Sequence, residues 1–298
     1  MRVLLTGAAG RLGRDLHLAL AGAAPPGGVP PEHLRSLPRG SVDVIAADRQ
    51  RLPIDVRGAV LEAVEGVRPD VIVHAAARTD VDGCEGDPDG AFLVNALGTR
   101  HVAEAAARVG AHLVYISTDY VFDGTAGRYR EWDTPNPISV YGASKLAGER
   151  ECPSSATIVR TSWLSGLSGD GAVRRMLRQA FEESPLRYVD DQRGSPTFAA
   201  DLAATVAALA LARLPGTYHV TNEGSASRFE LAQAVLAAVG QDPSRVEPIT
   251  TADLDPQPPA RRPPDSSLDN FALRLAGWPA LAPWREGLAR YVAALDER

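Results

Sequence analysis

The stretch Arg2-Val3-Leu4-Leu5-Thr6-Gly7-Ala8-Ala9-Gly10-Arg11-Leu12-Gly13 predicts the fold of this protein. Its first part, Arg2–Thr6, is short and apolar, as a buried strand would be. Leucines at positions 12, 16 and 20 then have the spacing of one helix face, which predicts a helix over Arg11–Leu20. A strand, a glycine-rich turn and a helix in this order are typical of a dinucleotide-binding fold.

The three glycines of this stretch each have a physical role. Gly7 permits a tight turn after the strand, Gly10 lets the backbone approach a pyrophosphate, and Gly13 allows the helix to pack close to the strand. The helix N-terminus adds N–H groups and a partial positive charge for the phosphates. We therefore expect a dinucleotide cofactor to contact Gly7, Gly10, Arg11, Leu12 and Gly13.

Strands and helices continue to alternate through the first half of the chain. Apolar runs predict further strands at Val42–Ala47, Val71–His74, His112–Ser117 and Thr157–Arg160. Periodic segments predict helices at Val56–Gly66, Ala91–Val109 and Ser139–Arg150. Short apolar strands that alternate with helices indicate a parallel sheet covered on both faces. The predicted fold class is therefore α/β, with a Rossmann-type doubly wound parallel sheet.

Two stretches interrupt this alternation. The segment Gly22–Gly40 is rich in proline and glycine, and we predict a surface insertion there. The segment Gln257–Asp265 holds four prolines and two arginines, which suits either a stiff linker or a binding loop.

Composition excludes several classes of protein. The 298 residues suffice for about two domains, and the formal net charge of −6 disfavours a nucleic-acid partner, since phosphate contacts need concentrated positive charge. No apolar run approaches the ~20 residues of a membrane span, and the N-terminus lacks a signal-peptide pattern, so we expect a cytoplasmic protein with no membrane partner. Two cysteines cannot form a disulfide framework, and no Cys/His cluster has metal-ligand spacing, so we expect no metal.

The end of the second predicted strand carries conflicting signals about the cofactor. Asp48 has the position of the acid that binds an adenosine ribose and disfavours a 2′-phosphate. Arg11, Arg49 and Arg51 would instead favour a 2′-phosphate, because the guanidinium fork suits phosphate geometry. Asp55 is a weaker candidate for the adenine edge. We favour NADP(H) and keep NAD(H) as the alternative.

One pair of residues has the spacing and chemistry of a proton-transfer site. Tyr141 and Lys145 are four apart in a predicted helix, so they share one face, and Lys145 is the only lysine of the chain. A neighbouring ammonium would lower the pKa of the tyrosine towards the working range. Tyr141 could then exchange a proton with a carbonyl oxygen or a hydroxyl. Upstream, Ser117 and Thr118 end the fourth predicted strand, where ligands bind in parallel sheets; we favour Thr118 as the hydroxyl that aligns the substrate.

These motifs together resemble the extended short-chain dehydrogenase/reductases, and more closely the dTDP-4-dehydrorhamnose reductase family. The closer resemblance is carried by Ala75–Asp82 (AAARTDVD), Ser117–Gly124 (STDYVFDG), Val140–Glu149 (VYGASKLAGE) and Ala260–Asp269 (ARRPPDSSLD). It implies that residues 1–163 bind NAD(P) and that residues 164–298 are mainly a smaller C-terminal substrate domain, with some segments returning to the sheet.

The resemblance also implies roles for individual residues. Thr118, Tyr141 and Lys145 would be the catalytic triad, with Tyr141 and Lys145 also touching the cofactor. The resemblance adds Ala75, Ala76, Ala77 and Thr79 to the cofactor contacts, beside the candidates Asp48, Arg49 and Asp55 already named after the second predicted strand. The substrate would meet Asp119, Tyr120, Trp163, Gln192, Arg193 and Arg262, the last holding the nucleotide diphosphate.

The activity implied by the resemblance is reduction of the 4-keto group of a dTDP-linked 4-keto-6-deoxyhexose with NAD(P)H, by a monomer or a homodimer. The favoured substrate is dTDP-4-dehydro-L-rhamnose. One alternative is the same chemistry on another dTDP-deoxysugar, such as an antibiotic sugar or dihydrostreptose. An alternative of another class is a regulatory subunit that binds NADP and catalyses nothing.

Overall fold

The computed structural model describes residues 1–28 and 42–296. The strands are β1 Arg2–Thr6, β2 Asp43–Ala47, β3 Val71–His74, β4 His112–Thr118, β5 Thr157–Thr161, β6 Leu164–Ser165, β7 Leu186–Val189, β8 Arg193–Gly194, β9 Thr197–Phe198, β10 Gly216–His219, β11 Ala226–Ser227 and β12 Val246–Ile249. The helices are α1 Gly13–Leu20, α2 Arg57–Val67, α3 Val81–Gly86, α4 Pro88–Phe92, α5 Gly98–Val109, α6 Val140–Glu151, α7 Ala172–Gln179, α8 Ala199–Ala212, α9 Arg228–Ala238, α10 Phe271–Leu275 and α11 Trp284–Asp296. Shorter turns are a π-helix, Leu93–Leu97, and three 3-10 helices, Asp119–Val121, Pro243–Arg245 and Thr251–Asp253.

The central sheet has six strands in the order β10-β5-β4-β3-β1-β2, and every pair in it is parallel. The strand register pairs Thr6 with His74 and Thr118 with Thr161, so the carboxyl ends of the strands form one edge. The predicted fold class, a doubly wound parallel sheet, is confirmed. Ligands in such sheets bind beyond this edge.

Helices cover both faces of the sheet because its strands alternate their apolar side chains. Val3 and Leu5 point into a core with α1 and α8, where Leu16 and Leu202 are fully buried. Leu4, between them, points into the opposite core with α2 and α5. Helix α8 and strand β10 belong to these sheet layers although they come late in the chain.

A separate apolar core forms in the C-terminal part. Helices α7, α9 and α11 pack there around Met176, Leu231 and Leu288. The short strands β7 and β12 pair beside it, from Leu186 to Val189 and from Val246 to Ile249. This second core supplies the smaller C-terminal body of the predicted fold class.

The long helix predicted over Ala91–Val109 is wrong in one respect, because Leu93–Leu97 is a π-helix between α4 and α5. Asn95 lies in this turn, accepts a hydrogen bond from Arg78 N at 2.8 Å and donates to Arg78 O at 3.0 Å. These two hydrogen bonds join the π-helix to Arg78, in the loop after β3, and fix the side chain of Asn95.

The predicted insertion Gly22–Gly40 lies mostly outside the described residues. Its first part packs on the last helix, where Arg290 Nε donates to Gly27 O at 3.0 Å. Within residues 1–28 and 42–296, no helix is long and apolar enough to cross a membrane.

Candidate active site

A cavity of about 730 Å³ opens at the carboxyl edge of the sheet. Its walls come from the glycine turn after β1, the loop after β3, the end of β4, helix α6 and the loop after β5. The predicted site residues that line it are Gly7, Gly10, Arg11, Leu12, Gly13, Asp48, Arg49, Asp55, Ala75, Ala76, Ala77, Thr79, Thr118, Asp119, Tyr120, Tyr141, Lys145 and Trp163.

The turn after β1 requires glycine at two of its positions. Gly7 has a φ of +69°, which favours glycine, and a Cβ there would lie 2.6 Å from Ala76 N. Gly10 N donates to Gly7 O at 2.9 Å and closes the turn. A Cβ on Gly13 would collide with Gly7 O, so only glycine lets α1 begin directly against the turn.

The adenosine end of the cavity combines an acid with two arginines. Asp48 Oδ1 accepts from Gln50 N and Arg51 N, each at 3.0 Å, which fixes this carboxylate at the end of β2. Arg49 lies 3.8 Å from Asp55, whereas Arg11 forms no ion pair within the described part of the chain. The cavity lining also includes the apolar residues Leu52, Ile54, Leu93 and Val94, which the sequence did not single out.

Thr118 and Tyr141 meet at the end of β4. Thr118 Oγ1 donates to Asp119 Oδ1 at 3.1 Å and accepts from Tyr120 N at 3.3 Å. Burial raises the pKa of Tyr141, and a hydrogen bond with Thr118 partly opposes that shift. The ring of Tyr120 packs edge-on against the ring of Tyr141, with 5.9 Å between centroids. Tyr141 therefore keeps its proton at neutral pH, contrary to the lowered pKa expected from its spacing to Lys145.

Lys145 lies one turn along α6 from Tyr141 and is 2% exposed. Its Nζ donates to Ile116 O at 2.7 Å. Burial lowers the pKa of Lys145 to about 7, and the carboxylate of Glu149 partly opposes that shift. The ammonium is thus held at the carboxyl edge of β4 by a backbone carbonyl and is poised to change charge near neutral pH.

Asp119 is a buried carboxylate that joins distant parts of the chain. It accepts from Ser162 Oγ at 2.9 Å and from Ser266 Oγ at 2.5 Å, in addition to Thr118. Burial raises its pKa to about 6, and these hydroxyl groups oppose the shift. Asp119 therefore fixes the position of Thr118.

Sequence reasoning missed Arg228, which closes the far end of the cavity. Its guanidinium carbon lies 3.4 Å from the ring centroid of Trp163 and its head hydrogen-bonds to the Tyr120 hydroxyl. Trp163 has a φ of +44°, and a Cβ on Gly194 would collide with its indole ring. The indole of Trp163 is thus packed between the backbone of Gly194 and the guanidinium of Arg228. Ser227-x-x-Glu230 signals a helix start here, but nothing local shows that Arg228 faces a cavity.

Three predicted substrate residues lie outside the cavity lining. Gln192 Nε2 donates to Thr251 Oγ1 at 2.9 Å, and Arg193 is 3.0 Å from Glu230. Arg262 forms two hydrogen bonds of 2.6 Å to Asp82 and also hydrogen-bonds to Tyr120. The Arg262 guanidinium therefore lies between the Asp82 carboxylate and the Tyr120 hydroxyl, which it joins by hydrogen bonds.

A parallel sheet with this glycine turn, and a Thr–Tyr–Lys group at its carboxyl edge, defines a Rossmann-type oxidoreductase of the extended short-chain dehydrogenase/reductase class. Residues 1–297 match the family model described as RmlD substrate binding domain. The chain belongs to the family of dTDP-4-dehydrorhamnose reductases, as its sequence motifs indicate.

Individual relatives agree with this assignment. The dTDP-4-dehydrorhamnose reductase of Streptomyces griseus is 41% identical, over 100% of this chain and 95% of the relative. The dTDP-4-keto-6-deoxy-D-glucose reductase of Streptomyces niveus is 36% identical, over 99% of this chain and 98% of the relative. A crystal structure of dTDP-4-dehydrorhamnose reductase from Bacillus anthracis in complex with NADP has a TM-score of 0.87 and 39% identity, over 98% of each chain.

A buried ion pair between α6 and β5 generates a test of stability. Arg160 donates to Glu149 through Nε at 2.9 Å and Nη2 at 2.7 Å, and Ser117 Oγ donates to it at 2.5 Å. We expect Glu149→Gln to lower the free energy of unfolding by ~3–5 kcal/mol, because it leaves the Arg160 guanidinium buried without its counter-charge.

Urea unfolding measures this loss. The matched control is Asp170→Asn, which breaks the exposed pair with Arg178 at 2.8 Å and is expected to cost no more than about 1 kcal/mol. Equal effects of the two substitutions would contradict the expectation.

Proposed function

We propose that this protein reduces the 4-keto group of a dTDP-linked 4-keto-6-deoxyhexose with NADPH, and that its substrate is dTDP-4-dehydro-L-rhamnose. The observation that carries the proposal is the hydrogen-bonded pair Thr118 and Tyr141, with Lys145 one turn away, at the edge of a cavity that begins at the glycine turn. The family and the names of the relatives support the choice of substrate class.

The residues of the cavity fit a dinucleotide. Glycine at positions 7 and 13 lets the turn close and lets α1 begin directly against it, since Cβ atoms there would collide with Ala76 N and Gly7 O. The backbone of Gly7, Gly10 and Gly13 would then hold the pyrophosphate at the N-terminus of α1. Leu12 would flank the phosphates, and Ala75, Ala76, Ala77 and Thr79 would lie along the nicotinamide half. NADPH, when bound, supplies hydride to C4 of the sugar.

The adenosine end favours NADPH over NADH in this proposal. Arg11 and Arg49 would donate to a 2′-phosphate, because Arg11 has no ion pair within residues 1–28 and 42–296 and Arg49 has only the 3.8 Å contact with Asp55. Asp48 would accept from the remaining ribose hydroxyl, and Asp55 would face the adenine edge.

Tyr141 would supply the proton. As C4 gains hydride, its oxygen becomes an alkoxide, which is basic enough to take the proton that the raised pKa of Tyr141 retains until then. Thr118 would hydrogen-bond to the same oxygen and align it. Lys145 would stabilise the tyrosinate that forms and bind the nicotinamide ribose. We assign these roles to Thr118, Tyr141 and Lys145.

The remaining residues would recognise the sugar nucleotide. Asp119, Tyr120 and Trp163 would form the sugar pocket, and Arg228 would donate to the diphosphate from the face of Trp163. Arg262 would reach the same group past Tyr120. Gln192 and Arg193 would lie further out, towards the nucleoside. In this scheme residues 1–163 hold the cofactor and residues 164–298 hold mainly the substrate.

NADPH or NADH oxidation with dTDP-4-dehydro-L-rhamnose, generated in place, tests the function. We expect rapid oxidation of the cofactor, with dTDP-L-rhamnose identified as the product by NMR. The kcat/KM should be higher with NADPH than with NADH. A relative named for dTDP-4-keto-6-deoxy-D-glucose makes that sugar the first alternative substrate. Cofactor binding without oxidation of any ketosugar in a panel would refute the proposal and favour the regulatory alternative.

Removing the hydroxyl of Tyr141 tests the proton donor. We expect Tyr141→Phe to lower kcat by about 10²–10⁴-fold while the Kd for NADPH changes little, because the ring remains and only the proton is lost. Stopped-flow turnover and fluorescence titration measure the two. Tyr218→Phe, which removes a hydroxyl bonded to Pro215 O outside the cavity lining, is the control. Near-normal turnover in the Tyr141 variant would exclude the mechanism.

Arg228 can be tested against a second arginine that also lies on a tryptophan. We expect Arg228→Met to raise the KM for the dTDP-sugar roughly ten- to hundredfold, the loss expected for a hydrogen bond between charged groups. The KM for NADPH should stay within about twofold. Arg285→Met, which removes an exposed guanidinium 4.4 Å from the Trp284 ring, should change neither value. An unchanged sugar KM in the Arg228 variant would remove this residue from the site.

A further inference from the structure

Tyr115 is a fully buried residue of β4 that the proposed mechanism does not use. The centroid of its ring lies 4.0 Å from Lys145 Nζ. Its hydroxyl is 3.4 Å from Asn95 O and 3.3 Å from Lys145 O, which fixes the plane of the ring. The Lys145 ammonium is therefore held by two groups of the same strand, the Ile116 carbonyl and the face of Tyr115.

The neighbouring helix is shaped around this ring. A Cβ on Gly148 would collide with the Tyr115 hydroxyl and with Asn95 O. Helix α6 therefore lies at its observed distance from β4 only because position 148 has no side chain. The short distance between α6 and β4 brings Lys145 Nζ onto the face of the Tyr115 ring. Gly148 and Tyr115 therefore both contribute to the position of Lys145.

The face of an aromatic ring attracts a cation, and the attraction is stronger where water is excluded. The groups that face Lys145 are few. Among the described residues they are Glu149 on its own helix, Cys152 directly after that helix, and His74 on β3. Glu149 is already committed to Arg160 at 2.7 Å. Burial and the Lys145 charge lower the pKa of His74 to about 3, so that ring is neutral and offers no counter-charge.

We propose that Tyr115 is a positioning residue for Lys145, whose ring keeps the lysine ammonium charged and directs it towards Tyr141. The inference deepens the role that the proposed function gives to Lys145, and it rests on that function only for its catalytic consequence. The charge state of Lys145 is a property of the protein alone and can be measured without any substrate.

Because Lys145 is the only lysine of the chain, it can be observed by itself. Full-length protein, made with ¹³C-labelled lysine and a lysine-free tag, gives one Cε resonance whose shift with pH reports the pKa of Lys145. The ring favours the charged form, so its loss lowers the pKa. We expect Tyr115→Leu to lower the pKa by about one unit, a tenfold change in the ionisation constant.

Tyr115→Phe is the matched control, since it keeps the ring and removes only the hydroxyl. Its lysine pKa should stay within about 0.3 units of the wild-type value. An unchanged or raised pKa in Tyr115→Leu, or an equal fall in both variants, would overturn the proposal. If Tyr115→Leu does not fold, the chemical shift of the Hε protons of Lys145 tests whether the lysine lies on the ring. In wild type and Tyr115→Phe they should be shifted upfield by the ring, and ordinary shifts would overturn the proposal.

The pH profile of turnover separates positioning from a merely structural role. Lys145 is charged below its pKa, so activity should fall as the pH rises through that value. In Tyr115→Leu the alkaline limb of kcat should move to lower pH by about one unit, and in Tyr115→Phe it should not move. A lower Tm with an unmoved limb would overturn the proposal. If no ketosugar is turned over but the lysine pKa falls as expected, the proposed function fails and this inference stands.

Discussion

The site depends on how closely helix α6 approaches the end of strand β4. A Cβ on Gly142 would collide with Tyr120 O, and one on Gly148 would collide with Asn95 O and the Tyr115 hydroxyl. Two glycines therefore let backbone lie against backbone. This approach joins the hydroxyl of Tyr141 to Thr118, which a helix one side chain further away could not reach.

The same packing determines the electrostatics of the site. Burial raises the pKa of Tyr141 and lowers that of Lys145 to about 7, so both groups move towards their neutral forms. The groups that oppose this are fixed ones, namely the Thr118 hydroxyl for the tyrosine and the Glu149 carboxylate for the lysine. Glu149 is in turn held by Arg160 at 2.7 Å. The ion pair thus fixes the carboxylate that opposes the pKa shift of Lys145.

A few polar contacts join the C-terminal part to the segments that follow β3 and β4. Ser266 donates to Asp119 at 2.5 Å, and Arg262 pairs with Asp82 at 2.6 Å. Arg228 closes the cavity on Trp163. The Gln257–Asp265 stretch is therefore bonded to α3 through Arg262 and is followed by a residue bonded to Asp119, which suits a packed loop better than a linker.

The sequence by itself determined whatever depends on near neighbours along the chain. The turn at Gly7 and the pairing of Tyr141 with Lys145 are local, because a turn and a helix face have fixed periods. Tertiary structure alone decided which distant side chains share the cavity. No periodic pattern in the sequence indicates the position of Arg228, the packing of Trp163 on two sides or the pairing of Arg262 with Asp82. The direction of the Tyr141 pKa shift was also decided there, since burial is a property of the packed chain and raises a pKa that the spacing to Lys145 predicted to fall.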